Sequence, residues 1–182
     1  MNGLAEEIYK LYELSGADFI AQLKTVTSRA EFHPLEDEPN ILTVGGKASE
    51  DYSNLIAAAM KAVTHGYRVY ILPNPKKYRT ADFIFVRNGV YKLFELKTIT
   101  GKASVQNRLM ESIGQTNRVL LNVISNYNPS TLARSIKKYF ESNVTALEVL
   151  IFKGRKTISI TRDITYSANY YQVFMRRYFK GK

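Results

Sequence analysis

The chain has 182 residues, of which 45% are hydrophobic, so it suits one domain with a sizeable core and is too apolar for wholesale disorder. Lys and Arg number 26 against 16 Asp and Glu, and the formal charge of +10 favours polyanionic partners, nucleic acid first and an acidic protein second. Cysteine is absent, which excludes disulfides, thiolate metal sites and cysteine nucleophiles, and no run of about 18 apolar residues predicts a membrane helix.

The first forty-odd residues predict a helical extension. Apolar residues recur at helical spacing from Leu4 to Leu23, and the pattern breaks near Ser15-Gly16, which indicates two short helices. The stretch "EFHPLEDEPNILTVGG" then combines two prolines, acids and paired glycines, as is typical of a connector. We therefore predict residues 1–44 as an extension and connector, and residues 45–182 as the main domain.

In the main domain, the sequence pattern predicts helices alternating with strands. "SEDYSNLIAAAMKAVTHGY" carries an apolar stripe at helical spacing, with Ser49 as a candidate N-cap and Gly66 as a stop. Strands are predicted at residues 67–72, on both sides of Asn88-Gly89, at 118–124, and as a hairpin across 153–156; further helices lie in "ASVQNRLMESIGQTN" and from Pro129. This order predicts an α/β fold, a three-layer-like sandwich in which helices flank a central mixed β-sheet.

The C-terminal stretch "YYQVFMRRYFKGK" interleaves aromatic and basic residues. Such residues can stack on bases while the cations bind phosphates. The alternative is an amphipathic last helix that packs its aromatic rings inward, and the pattern favours it slightly. Likewise, the +10 charge alone is equally typical of good solubility.

The most informative stretch is "ADFIFVRNGVYKLFELK", residues 81–97, in which charged residues stand among apolar ones. Asn88-Gly89 predicts a two-residue type I′ turn between two strands. With these two residues in the loop, the register places Asp82 opposite Glu95. Lys97 follows Glu95 by two residues and therefore projects from the same face.

Two facing carboxylates in apolar surroundings are unfavourable unless one is protonated or a cation lies between them. Mg²⁺ takes carboxylate oxygens and keeps water sites for a substrate phosphate. Lys97 beside such an ion can orient the attacking water and offset the phosphate charge, which is the layout for metal-assisted phosphodiester hydrolysis. The alternative is a plain salt bridge between Glu95 and Lys97 at a solvated strand end, and the string "ELK" by itself favours it.

These residues resemble the PD-(D/E)xK nuclease superfamily, whose core is helix, three strands, helix, strand. The chain is more closely similar to the C-terminal tRNA-nuclease toxin domains of contact-dependent growth inhibition systems. The motifs that carry this resemblance stand here as "HGYRV", "ADFIF", "FELK" and "IGQTNRVLLNV", and they cover about residues 45–162.

The resemblance implies a restriction-endonuclease-like core with Asp82 and Glu95 as metal ligands and Lys97 as the catalytic lysine. The family adds an acid from the first helix, for which Glu50 is the best match and Asp51 the second. An acid there is equally well explained by the positive end of the helix dipole. The implied cofactor is a divalent metal, Mg²⁺ first, with Mn²⁺ or Zn²⁺ as alternatives. The proline that usually precedes the first Asp is replaced by alanine.

Further residues are candidates for nucleic-acid contact after the lysine: Gln106, Gln115, Lys102, Arg108 and Arg118. Gln115 and Arg118 match the "Q..R" of the toxin domains, whereas a polar helix face or solvated surface charge would also explain the set. Each lysine or arginine contact to phosphate would weaken with salt.

We therefore expect a metal-dependent endonuclease, with tRNA as the favoured substrate. The alternatives are a DNA endonuclease of the restriction or repair type and a catalytically inactive nucleic-acid-binding domain. A toxin of this type would act in the cytoplasm of a cell into which it is delivered, and an acidic immunity protein would be its partner. We expect no membrane association, and the N-terminus lacks the basic start and apolar block of a secretory signal.

Overall fold

A computed structural model describes the chain at residues 3–45, 50–73, 80–101 and 104–180. This part of the chain is α/β with both parallel and antiparallel strand pairs, as predicted. Two compact units divide inside a strand, the first ending at Leu93 and the second beginning at Phe94. The predicted division after residue 44 stays a prediction.

The first unit contains two helices, a pair of short strands, a third helix and a strand pair that leads into a long strand. Its elements are α1 Gly3–Lys10, α2 Gly16–Thr27, β1 His33–Leu35, β2 Glu38–Thr43, α3 Glu50–Thr64, β3 Arg68–Ile71, β4 Phe83–Arg87 and the start of β5 Val90–Ile99. β2 runs parallel to β3, and β1 and β4 are antiparallel to their neighbours. The two predicted N-terminal helices are confirmed, and α3 ends before Gly66, whose φ of 83° is favourable for glycine. The candidate N-cap Ser49 lies outside the described residues.

The stretch after α2, which we expected to be a connector, contains two strands that the sequence did not predict, β1 and β2. The second half of β2 is buried at Ile41, Leu42 and Thr43, and it pairs with β3. Pro34 and Pro39 lie at exposed strand positions, where proline is tolerated. Because of these prolines and the acids of the turn, the sequence pattern did not predict this short strand pair.

The core of the first unit lies between α1, α2 and one face of the strands. It contains buried apolar residues from both helices and from β2 to β5. Ile84 and Val86 of β4 and Tyr91 and Leu93 of β5 all pack in this cluster. Phe83 and Phe85 point to the other face of β4 and are also buried, so this strand is apolar on both faces.

The second unit continues β5 and adds α4 Val105–Glu111, β6 Arg118–Val123, α5 Pro129–Ser142, β7 Glu148–Lys153, β8 Lys156–Thr161, α6 Arg162–Thr165 and α7 Tyr170–Lys180. β5, β6 and β7 are parallel, and β8 is antiparallel to β7. The order from α3 to β6 is helix, three strands, helix, strand, as predicted. α4 is shorter than expected, because Ser112 ends it by bonding back to the Leu109 carbonyl at 2.6 Å and Gly114 follows with a φ of 88°.

The last helix, α7, has features of both interpretations of the basic aromatic tail, because some of its aromatic side chains are buried and others are exposed. Tyr170, Phe174 and Tyr178 point inward into the core of the second unit, as the amphipathic alternative predicted. Tyr171 and Phe179 point outward and are 42% and 64% exposed. In the described ranges, no helix has the length and hydropathy needed to cross a bilayer.

Candidate active site

The centre of the candidate site is an ion pair between two side chains of β5. The Lys97 ammonium nitrogen lies 3.0 Å from Oε1 of Glu95, to which it donates a hydrogen bond. The two residues are only 9% and 6% exposed. The salt bridge that the plainer interpretation predicted therefore forms, but it is buried rather than solvated.

The strand register explains why both side chains share one face. Residues two apart on a strand point the same way, and the parallel pairing sets Glu95 beside Val119 and Lys97 beside Leu121. Val119 and Leu121 belong to the apolar core that lies under α4, α5 and α7. The two charges therefore continue an otherwise apolar face of the second unit.

A buried ion pair such as this one is not expected to stabilise a fold more than apolar residues would. Removing two charges from water costs several kcal/mol per ion, and well-packed apolar residues in their place often give an equally stable protein. Burial and a close charge partner are instead common among residues that perform chemistry. Glu95 and Lys97 are therefore the best-supported candidates for function in the second unit.

Gln115 adds an uncompensated polar group to the same unit. It is 9% exposed, and its side-chain oxygen has no hydrogen-bond partner within the described ranges. Its backbone N–H donates to the Ser112 carbonyl in the turn that follows α4. A buried acceptor of this kind is uncommon in folded proteins, and a water molecule or a donor on a bound ligand would satisfy it.

Asp82 belongs to the first unit and stands directly before β4, half-buried. Its carbonyl accepts a hydrogen bond from the Leu72 N–H at 2.9 Å, which extends the β3–β4 ladder by one residue. The preceding Ala81 N–H donates to the hydroxyl oxygen of Tyr12 at 2.8 Å. The backbone around Asp82 is thus fixed from both sides.

The turn after β4 has the predicted geometry. Asn88 and Gly89 have φ values of 51° and 72°, as a type I′ turn requires at both central residues. Ile84 of β4 and Leu93 of β5 lie in one cluster, which agrees with the predicted register for that pair. The meeting of Asp82 with Glu95, which belongs to the other unit, stays a prediction.

Replacing Tyr12 with phenylalanine is expected to lower the free energy of unfolding by about 1–3 kcal/mol. The change leaves the Ala81 N–H without its acceptor, and Ala81 is almost fully buried. Urea denaturation would measure the loss, with Tyr166→Phe as the control because the Tyr166 ring is exposed. Equal unfolding free energies for the two variants would contradict a stabilising role for the Tyr12–Ala81 bond.

Two of the predicted site residues lie partly or wholly outside the described structure. Glu50 begins α3, but its side chain lies outside the described residues, as does all of Lys102. Asp51, the second choice for the acid of the first helix, is exposed. The roles predicted for these residues stay predictions.

The two residues of α4 that are candidates for nucleic-acid contact, Gln106 and Arg108, are not fully buried. Gln106 is half-buried on this helix. Arg108 lies 3.5 Å from the carboxylate of Glu111, one turn along, in a solvent-exposed ion pair. A pair of this kind contributes little to stability, so Arg108 is available for a phosphate at small cost.

Arg118 lies on a different face from the ion pair. Its neighbour Val119 is the residue beside Glu95, so Arg118 points to the opposite face of β6. Its guanidinium Nε lies 3.3 Å from the carboxylate of Glu148, which also accepts a hydrogen bond from Ser159 at 2.7 Å. The structure therefore does not bring Arg118 to Glu95 and Lys97, and its contact with nucleic acid stays a prediction.

Glu148 is the buried acid that sequence reasoning missed. It is nearly inaccessible to solvent at the start of β7. The available signal was a single acid at the head of the apolar run "LEVLIF". The Arg118–Glu148–Ser159 contacts join β6, β7 and β8, so we interpret them as structural.

Neither of the two histidines lies near Glu95 and Lys97 in the sequence, so neither is a candidate general base beside that pair. Burial and the nearby Arg87 guanidinium lower the pKa of His65, which favours its neutral form. This shift opposes the cationic form of His65 that the helix dipole would favour at the end of α3. Arg87 supplies the positive charge there instead, because its guanidinium donates to the His65 carbonyl at 3.1 Å.

Comparison of the chain with protein-family models, curated proteins and solved structures returned no match.

The predicted metal site requires a group of carboxylate or imidazole donors. In the described part of the chain, no three His, Asp or Glu side chains come together as a metal-binding group. That part leaves out the side chain of Glu50, one of the three predicted ligands. Carboxylates such as those of Asp82 and Glu95 are the oxygen donors that Mg²⁺ prefers, so the residue types suit the predicted ion.

Proposed function

We propose that the chain is a metal-dependent endonuclease that hydrolyses phosphodiester bonds, with tRNA as its favoured substrate. The observation that supports this most directly is the buried Glu95–Lys97 pair, with 3.0 Å between Nζ and Oε1. Its acid-x-lysine spacing, the Asp82 thirteen residues before Glu95, and the order of elements from α3 to β6 all fit the resemblance to PD-(D/E)xK nucleases. The restriction-endonuclease-like core is part of the proposal.

In this proposal Asp82, Glu95 and Glu50 would hold the divalent ion, Mg²⁺ or alternatively Mn²⁺ or Zn²⁺. When bound, such an ion polarises a phosphoryl oxygen and lowers the pKa of a coordinated water. Lys97 orients the attacking water and offsets the negative charge that develops on the phosphate. Glu95 fixes the position of the Lys97 ammonium through their hydrogen bond. The buried oxygen of Gln115 accepts a hydrogen bond from the substrate.

The positive charge of the chain supports a polyanionic substrate, and the preference for tRNA over DNA rests on the resemblance to toxin domains. A toxin of this kind needs an inhibitor in the cell that makes it. We propose an acidic immunity protein for this role, because it would complement the charge of +10.

Total tRNA should be cut by the purified chain in Mg²⁺, and excess EDTA should stop the reaction until more Mg²⁺ is added. Plasmid DNA is offered in a parallel reaction, and denaturing gels resolve the products. Cleavage of plasmid alone would favour the DNA endonuclease. A chain that is folded by circular dichroism and binds tRNA without cutting it would favour the inactive binding domain. Cleavage that persists in EDTA would contradict metal dependence.

A further inference from the structure

The net positive charge of the chain comes from its second unit. Residues 94–182 carry fifteen Lys and Arg against five Asp and Glu, which gives the whole formal charge of +10. Residues 1–93 carry eleven of each and are neutral. The net charge of the second unit therefore favours a polyanion, whereas that of the first unit does not.

Many cations of this unit are engaged with the protein itself. Lys153 donates to the Ser125 carbonyl, and Lys156 donates to two carbonyls at the end of α7. Arg162 and Arg177 also donate to backbone carbonyls. These side chains stabilise the fold and contribute little to recognition.

A second group of cations lies on the outer side of α5 and α7, which pack against each other. We call this surface the α5–α7 face and define it by Arg134, Lys137, Lys138, Tyr171, Arg176 and Phe179. Arg134, Lys138 and Arg176 are exposed, and none of the four cations forms a salt bridge within the described ranges. Glu141 is exposed one turn after Lys137 and Lys138 on α5, and four cations against this one acid leave the face a net positive charge.

Aromatic rings stand among these cations. The Lys137 ammonium lies 5.6 Å from the centre of the Tyr171 ring, which links the two helices at the surface. The hydroxyl of Tyr170 donates to the Ala133 carbonyl at 2.7 Å and holds α7 against α5 beneath them. Because α7 already buries three aromatic residues, Tyr171 and Phe179 are not needed for the core.

We propose that the α5–α7 face binds single-stranded nucleic acid, with its cations on phosphates and with Tyr171 and Phe179 stacked on bases. This proposal rests on the proposed nuclease function for its substrate class. The α5–α7 face would hold the substrate outside the candidate active site. Exposed rings interleaved with cations suit bases and phosphates together. An acidic protein would require the cations alone.

The test compares two double charge reversals of equal size. Arg134→Glu with Lys138→Glu changes the face, and Lys10→Glu with Lys24→Glu changes exposed lysines of the first unit. Binding of a labelled oligouridine of about 12 nucleotides is followed by fluorescence anisotropy in EDTA at several salt concentrations. We expect the first variant to bind about ten-fold or more weakly and to flatten the slope of log affinity against log salt by about 1.4. Equal weakening by both variants would overturn the proposal.

Substitutions of Tyr171 separate stacking from charge. Tyr171→Leu should weaken binding by at least about five-fold, whereas Tyr171→Phe should keep it, because one stacked base contributes roughly 1–3 kcal/mol. Poly-glutamate that competes as well as RNA at equal charge would overturn the proposal in favour of an acidic protein. Weakened binding by the face variants, in a chain that never cuts RNA, would support the face while contradicting the nuclease.

Discussion

Lys97→Met is expected to slow tRNA cleavage in Mg²⁺ by about 10²–10⁴-fold, the range typical of losing a positioned catalytic group. Methionine keeps most of the volume and apolar stem of lysine but removes the ammonium that lies 3.0 Å from Glu95. Binding of RNA should change little, because one cation among 26 is lost. Initial cleavage rates on denaturing gels, with anisotropy for binding, would measure both quantities.

The same substitution also tests the fold, and a second variant separates the two effects. Removing one partner of a buried ion pair typically costs about 3–5 kcal/mol of unfolding free energy. The double variant Glu95→Gln with Lys97→Met removes both charges and should recover much of that loss. If the pair is catalytic, the double variant is stable but inactive. If the pair is only structural, the double variant is stable and cuts as well as the wild type.

Lys10→Met is the matched control for this series. Lys10 forms an exposed ion pair with Glu7 one turn away on α1, at 3.1 Å. Loss of such a pair costs less than about 1 kcal/mol, and cleavage should be unchanged. A Lys97→Met protein that is folded and cuts tRNA at the rate of Lys10→Met would refute the site assignment.

Arg162→Ala is expected to cost about 3 kcal/mol of unfolding free energy. The guanidinium of Arg162 donates to the carbonyls of Phe140, Asn143 and Ala146, where α5 ends and the chain turns towards β7. Carbonyls at a helix end have no partner within the helix, and hydrogen bonds to a charged group contribute roughly 1.5–3 kcal/mol each, though not additively. The Arg162 guanidinium also lies 5.5 Å from the centre of the Phe140 ring.

Thermal and urea unfolding would measure this loss. For a chain of this size, about 3 kcal/mol corresponds to a fall in Tm of roughly 6–12 °C. The control is Arg155→Ala, at an exposed position in the turn between β7 and β8, for which we expect a change within about 0.5 kcal/mol. Similar Tm values for the two variants would show that the contacts at the end of α5 contribute little.

Local signals predicted much of this molecule. Asn88-Gly89 is a turn signal with a direct steric cause, and both residues adopt the positive φ it implies. The spacing of Glu95 and Lys97 placed them on one face because strand alternation is fixed by backbone geometry. Gly66 ended α3 for the same kind of local reason.

Features that depend on distant partners were not predictable in this way. β2 pairs in parallel with β3, and β1 pairs with β2. The local sequence pattern does not predict this pairing between segments distant in the chain. Arg118 pairs with Glu148, thirty residues away, and its sequence position alone does not indicate that partner. Burial of the Glu95–Lys97 pair depends on the rest of the fold, whereas the string "ELK" by itself indicates a solvated strand end.

The length of the turn at Asn88 and Gly89 has a consequence for how such chains diverge. Side chains alternate along a strand, so one residue inserted into this turn would exchange the two faces of β5 unless the extra residue stayed in the loop. Many substitutions of apolar residues in β4 and β5 would preserve the fold, but a change in their spacing would not preserve the orientation of Glu95 and Lys97. Distant descendants of this sequence should therefore conserve residue count across the turn more strictly than residue identity.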